Sequence, residues 1–216
     1  MLVDDHDLVR TGIRKMLEEA AGIKVVGEAS TGEDAVRLAR QVKPNVVLMD
    51  VKMPGVGGME ATSKLLYVDP DIKVLVVTAC DNDLFPARLL EAGAAGYITK
   101  DAKPEEMVQA VRAVYAGQRY FSAKIANLLA LKQVTSKHES PFDALSQREL
   151  QIMMMIMRGM KPKEMAEKLF LSAKTINSYR YRIFEKLGVK NDVELTLMAI
   201  QYGIWDVEET GLPTDA

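Results

Sequence analysis

The sequence predicts an α/β domain followed by a small all-α domain. Over the first 120 residues, short β-branched runs alternate with stretches of helical period, the pattern of a parallel sheet covered on both faces. From residue 140 on, no strand-like run appears and helical periodicity takes over. A polar stretch separates the two patterns.

Taken in order, residues 1–3 form a short first strand, and helical period runs over 7–20. The runs "KVVGEA" (24–29), "NVVLM" (45–49), "KVLVVT" (73–78) and "GYIT" (96–99) read as four more strands. Helical segments at 32–41, 58–67, 83–92 and 104–116 alternate with them. Five strand–helix units give a five-stranded, parallel, doubly wound sheet over residues 1–120. Three residues precede the acidic run "DDH", so we expect the first strand to belong partly to residues upstream of Met1. A strand that short would hold Asp4 and Asp5 poorly.

Residues 121–142 begin with helical period and turn polar, which predicts a partly helical linker. Ser146 then opens "SQRE", a capping box with Glu149 three residues on. Helical segments follow at 147–158, 163–170, 173–187 and 192–202, with Gly159 and Gly188 as breaks, so residues 143–205 read as four short helices. The tail, 206–216, is acidic and aperiodic and is expected to be disordered. The sequence shows no internal repeat.

Charge is unevenly placed. Residues 1–122 carry net −3, residues 141–205 carry +3, and the tail carries −4. A mildly basic helical domain behind an acidic α/β domain hints at nucleic-acid contact in the second. The single cysteine, Cys80, rules out an intrachain disulfide framework and a cysteine zinc site, and the two histidines, His6 and His138, lie far apart in sequence. No apolar run approaches the ~20 residues of a membrane span, and the opening residues lack the basic-then-apolar order of a signal peptide. We expect a cytoplasmic protein with no membrane partner.

In an open parallel sheet, ligands bind beyond the carboxyl ends of the strands. There the first strand delivers Asp4 and Asp5, the third Asp50, the fourth Thr78 and the fifth Lys100. Taken singly, each has a plain structural reading: an N-capping turn, a satisfied strand hydroxyl, a surface lysine. Their joint placement points to chemistry. Carboxylates that close repel one another, and Mg²⁺ relieves that conflict while leaving room for phosphate oxygens. A carboxylate beside Mg²⁺ can attack phosphorus and become an aspartyl phosphate, with Lys100 offsetting the transferring charge. Thr78 is placed to hydrogen-bond the incoming group. Pro54 and the glycines at 55, 57 and 58 shape the loop that closes the site.

The motifs "LVDDH", "VLMDVKMPG", "VVTA" and "AGAAGYITKDA" resemble, in order and spacing, the receiver domain of bacterial two-component response regulators. The resemblance implies a flavodoxin-like sheet of strand order 2-1-3-4-5. It implies Asp50 as the phosphoacceptor, and Mg²⁺ held by Asp4, Asp5, Asp50 and the backbone carbonyl of Lys52. It implies Thr78 and Lys100 as the pair that answers the phosphate, Tyr97 as the aromatic that reorients with Thr78, and Lys52 and Cys80 as positions that tune the phosphate's lifetime.

Projected at 100° per residue, the segment 173–187 places Ile176, Tyr179, Ile183 and Leu187 on one side. Lys174, Asn177, Ser178, Tyr181 and Glu185 fall opposite, with Arg180 and Arg182 at the margins. Such a face suits a helix in a major groove, where Asn and Ser read base edges and Lys, Arg and Tyr hold phosphates. The preceding "KEMAEKLFLS" supplies the first helix and turn of a helix-turn-helix. "IMMMIM" (152–157) reads as core.

The segments "LSQRELQIM", "KPKEMAEKLFLSAKTINSYRYRIFEKLGV" and "DVELTLMAI" resemble the LuxR-type helix-turn-helix domain, and the pairing with a receiver is that of the NarL/FixJ class, closest in motif to its GacA/UvrY group. The resemblance implies Asn177, Ser178 and Tyr181 toward bases, and Lys174, Thr175, Tyr179, Arg180 and Arg182 toward the DNA backbone. It implies a homodimer in the active state, paired through Val193, Leu197 and Ile200, with a hybrid sensor histidine kinase as donor and promoters of small regulatory RNAs as targets.

Two other functions stay open at this point. An aspartate nucleophile with Mg²⁺ also serves phosphohydrolases, which need an added acid/base; Lys52 is a poor one. A receiver that no longer answers phosphate is the other, and the short first strand is its only support.

Overall fold

A computed structural model describes residues 1–51, 53, 57–78, 84–134 and 140–205. The expectations for Lys52, Pro54, Gly55, Cys80, His138 and the 206–216 tail lie outside these residues. Two compact units divide the chain, residues 1–135 and 136–216.

The first unit is built on a wholly parallel sheet. Its strands are β1 (Leu2–Val3), β2 (Glu28–Ala29), β3 (Val46–Met49), β4 (Lys73–Thr78), β5 (Gly96–Thr99) and β6 (Tyr120–Phe121), in the order β2-β1-β3-β4-β5-β6. The helices are α1 (Asp7–Glu19), α2 (Gly32–Val42), α3 (Gly57–Val68), α4 (Leu84–Glu91), α5 (Pro104–Tyr115) and α6 (Ala123–Val134). Strand residues alternate between two cores, as period 2 requires. Val47, Met49 and Val74 join Ala35, Ala39, Ala61 and Leu65 of α2 and α3 on one face. Val46, Leu48, Leu75, Val77 and Ile98 join Leu17 of α1 and Met107, Val111 and Val114 of α5 on the other. Burial on both faces is why these strands read as unbroken apolar runs.

Two expectations are corrected. The sheet has six strands, not five: Tyr120 and Phe121 add along β5, with Gly96 opposite Tyr120 and Tyr97 opposite Phe121. Two residues carry too little periodicity to be seen, and this strand exists through its partner. The second strand spans 28–29 rather than 24–29. Leu2 donates to Gly27 O at 3.0 Å, and the ladder with β1 pairs Glu28 and Ala29.

The second unit holds a 3-10 turn (Pro141–Ala144) and helices α7 (Gln147–Met157), α8 (Pro162–Leu169), α9 (Ala173–Leu187) and α10 (Asp192–Gln201). The capping box forms: Glu149 N donates to Ser146 Oγ at 3.3 Å, and Ser146 N donates to Glu149 Oε2 at 2.7 Å. Ile152, Met153, Met155, Ile156 and Met157 are buried, so the Met-rich run is core. Phe142, Met165, Ile176, Ile183, Leu195 and Trp205 are buried as well.

Gly58, at the start of α3, admits no side chain. A Cβ there would lie 1.9 Å from the carbonyl oxygen of Asp50 and 2.8 Å from Val51 Cα. Both are backbone atoms, so no rotamer change relieves the clash. Gly58→Ala should destabilise the first unit by about 1–3 kcal/mol. Urea unfolding followed by circular dichroism should show the loss, while fluorescence of Trp205, the single tryptophan, reports an unmoved second unit.

Candidate functional site

Strand ends assemble the acidic edge. β1 stops at Val3, so Asp4 and Asp5 follow at once; β3 stops at Met49, so Asp50 follows. Ladder bonds hold both points, from Asp4 N to Ala29 O at 3.1 Å and from Asp50 N to Val3 O at 2.9 Å. The two-residue β1 is thus bonded along both edges, and the acid pair is held in spite of its length. Thr78 closes β4 opposite Thr99, and Lys100 N donates to Thr78 O at 2.9 Å.

Lys100 joins the two deeper carboxylates. Its Nζ lies 2.7 Å from Asp4 Oδ2 and 2.8 Å from Asp50 Oδ2. Asp4 is 4% and Asp50 2% exposed, so neither charge has ready access to water. Burial works against the ammonium as well. The charge of Asp50 and hydrogen bonds to Asp4 and Asp50 outweigh it, and the Lys100 pKa is held above its ordinary 10.5. Its contribution to stability is therefore full below pH 10.5 and is lost only above that.

One ammonium against three carboxylates leaves the edge short of positive charge. Asp5 Oδ1 is buried and accepts no hydrogen bond, although His6 Nδ1 stands 3.0 Å from it and 3.4 Å from Asp4 Oδ1. The backbone N–H of His6 donates to Asp4 Oδ1 at 2.9 Å. Ligand atoms of Asp4, Asp5, His6 and Asp50 all fall within 4.8 Å of one another. An orphaned carboxylate oxygen in such a cluster fits a hard divalent cation, which takes oxygen donors and completes the charge. His6 was not anticipated here; its signal was its place directly after the acid pair.

Thr78 and Tyr97 are buried within the sheet beside this edge. Tyr97 pairs with Val76 on one side and Phe121 on the other, and its carbonyl accepts from Ser122 N at 3.2 Å.

In the second unit, Ser172 caps α9 by accepting from Thr175 N at 3.0 Å. Phe170 at φ 53° ends α8 and makes the turn between the two helices. Ile176, Ile183 and Leu187 are buried and Tyr179 is half-buried, while Lys174, Asn177, Ser178, Tyr181, Arg182 and Glu185 are exposed. Ser178 Oγ donates to Lys174 O at 3.0 Å, and Arg182 lies over the Tyr179 ring. Arg180 is engaged: its Nη2 donates to both carboxylate oxygens of Asp192, at 2.7 and 2.8 Å. Projection of one helix could not show that. On α10, Val193 and Leu197 stand exposed one turn apart, with Ile200 half-buried a turn further on.

Lys186 ties α9 to the capping box, its Nζ 2.6 Å from Glu149 Oε2 and 3.1 Å from Ala144 O. Burial would raise the Glu149 pKa, but Lys186 and the Ser146 bonds outweigh it, and the carboxyl is held below its ordinary 4.5.

Residues 1–112 match the response regulator receiver domain, and residues 143–199 match the bacterial regulatory proteins of the luxR family. The chain is 60% identical over 207 residues to the response regulator GacA of Pseudomonas aeruginosa, covering 95% of this chain and 97% of that one. It is 54% identical over 209 residues to the response regulator UvrY of Escherichia coli K12, covering 96% of each. Among solved structures, it is similar to RcsB from Salmonella enterica serovar Typhimurium, bound to promoter rprA with the phosphomimetic BeF3−. That likeness has a TM-score of 0.70 at 26% identity and covers 91% of this chain and 95% of the other.

Lys100→Met should lower the stability of the first unit by roughly 3 kcal/mol, because it leaves two buried carboxylates uncompensated. Added Mg²⁺ should raise the melting temperature of the variant more than that of the wild type, as read by circular dichroism.

Glu149 contributes stability that is present above pH 4.5 and lost as the pH falls through its lower folded value. Glu149→Gln should cost about 1–2 kcal/mol near neutrality. Trp205 fluorescence on heating, from pH 7 down to pH 3, should show an acid-induced loss in the wild type that is smaller in the variant.

Proposed function

The chain belongs to the response regulators that join a receiver domain to a luxR-family DNA-binding domain, and from that premise we propose that Asp50 is the phosphoacceptor that sets its hold on DNA. The family makes it a DNA-binding transcription regulator controlled by phosphorylation. The observation that carries the assignment is the Asp50 carboxylate, 2% exposed at a strand end and bonded to Lys100 at 2.8 Å.

Asp4, Asp5 and Asp50, with the backbone carbonyl of Lys52, are the residues that would hold Mg²⁺. When bound, that ion offsets charge on the transferring phosphoryl oxygens. Asp50 attacks phosphorus with one carboxylate oxygen, and the bond from phosphorus to the donor, a histidine nitrogen of a hybrid sensor kinase, breaks. Lys100 then meets the new phosphoryl oxygens, and Thr78 donates its hydroxyl to one of them. Tyr97 reorients as Thr78 moves, which biases the unit toward one of two states. Lys52 and Cys80 set how long the phosphate lasts. The chemistry extends no further than this self-transfer and slow self-hydrolysis, so the protein is not an enzyme acting on external substrates.

α8 and α9 serve as the helix-turn-helix. Asn177, Ser178 and Tyr181 face bases, and Lys174, Thr175, Tyr179 and Arg182 meet the DNA backbone. Arg180 joins the backbone set by leaving Asp192. Val193, Leu197 and Ile200 pair two copies on double-stranded DNA, in a cytoplasmic homodimer whose targets include promoters of small regulatory RNAs.

Incubation with Mg²⁺ and acetyl phosphate should add one acid-stable, base-labile phosphoryl group to the wild type and none to Asp50→Asn. Phosphorylated protein should then retard promoter DNA at lower concentration than the unmodified chain or Asp50→Asn. A phosphoryl gain that persists in Asp50→Asn overturns the assignment.

A further inference from the structure

The turn that carries Asp4 and Asp5 has a second fixing point, one helical turn into α1. Arg10 Nη1 donates to the backbone carbonyl of Asp4 at 2.7 Å. Its Nε donates to Glu28 Oε2 at 3.1 Å, and its Nη2 donates to Asp7 Oδ1. The three nitrogens of one planar group thus reach a strand end, the first turn of α1, and β2. The Arg10 side chain is 16% exposed. Glu28 is itself positioned: it lies opposite Leu2 in the sheet, and its second oxygen accepts from Arg14, which also pairs with Glu18.

Two carboxylates, Asp7 and Glu28, face this single guanidinium. Its charge is answered locally, and none is left over to stand in for a cation at the acidic edge. What it supplies is geometry. It fixes the Asp4 carbonyl, and so the plane of the peptide that leads into Asp5. Asp5 is the carboxylate whose Oδ1 is buried without a hydrogen bond, with the His6 imidazole 3.0 Å away, so the peptide that leads into it does much to set its direction.

We propose that Arg10 is a positioning residue for the divalent-cation site, clamping the Asp4 carbonyl so that the Asp5 carboxylate is aimed into it. The proposal rests on the reading of Asp4, Asp5 and Asp50 as that site and adds a residue outside it. Groups that hold metal ligands in place are commonly worth 10–100-fold in metal affinity. A rigid fork is needed, because an ammonium on a flexible stem cannot span three partners in fixed directions.

The test uses the full chain, with Mg²⁺ binding measured by calorimetry and the Mg²⁺ dependence of phosphorylation by acetyl phosphate measured beside it. Arg10→Met and Arg10→Lys should each raise the half-saturating Mg²⁺ concentration about tenfold, with the rate at saturating Mg²⁺ near wild type and each variant still folded at the assay temperature, its metal-free melting temperature lowered by the bonds lost. Failure of lysine to restore wild-type behaviour separates geometry from charge. Glu28→Gln leaves Arg10 in place, weakens its anchor, and should give a smaller rise; it carries the test if the Arg10 variants do not fold. Wild-type Mg²⁺ dependence in Arg10→Met or Arg10→Lys, beside a loss in Asp5→Asn, overturns the positioning role alone. So does a change explained wholly by a lower melting temperature. If Asp5→Asn binds Mg²⁺ like the wild type, the reading of the acidic edge itself fails, and the role of Arg10 fails with it.

Discussion

The bonds from Lys100 to Asp4 and Asp50 are the constraint around which the first unit is arranged. Two carboxylates with almost no solvent access are tolerable only where a cation reaches both, and Lys100 does so at 2.7 and 2.8 Å. That single contact requires three strands to end together. β1, β3 and β5 must stop within a side chain's reach, and β4 must lie between β3 and β5 so that Thr78 falls beside Lys100. The parallel register of β1, β3, β4 and β5 brings these strand ends to one edge. The apolar strand interiors, packed on both faces, then make the register hard to slip.

The same constraint explains why the edge is poised rather than settled. A buried ion pair is weak evidence for stability, since desolvation takes back much of the Coulomb gain. Here one ammonium serves two buried carboxylates while a third, Asp5, has an oxygen without a hydrogen bond. An arrangement that is short of positive charge and already desolvated responds strongly to any added charge. A cation placed among these carboxylates would relieve the shortage.

Most of the sheet was legible because both its faces are buried: "NVVLM" and "KVLVVT" admit no polar interruption, and their ends are marked by the first charged or hydroxyl side chain. The joint position of Asp4, Asp5, Asp50 and Lys100 followed from one rule about strand ends. β6 was hidden because a two-residue strand has no period of its own; only β5 makes it a strand. The shortened β2 was hidden because β-branched composition does not show how far the ladder with β1 runs. In the helical unit, α9 was readable to the residue, since Ser172 caps it and Gly188 in the left-handed region ends it. The Arg180–Asp192 pair was not, because twelve residues and a turn separate its members. Sequence spacing sees faces of one helix, not which neighbour meets a face.

Arg10 shows the same limit at the site itself. In the sequence it is one arginine in the first turns of a helix, one turn before Arg14. In the fold the two differ in kind. Arg14 pairs with Glu18 and Glu28, side chain to side chain, on a surface where such pairs contribute little. Arg10 spends one nitrogen on a main-chain carbonyl, that of Asp4. A bond to the backbone fixes where the chain goes, and here the chain goes directly to Asp5. The acidic edge is therefore defined by its carboxylates and also by what holds the peptide between them. That second contribution is visible only once β2, β1 and α1 are seen side by side.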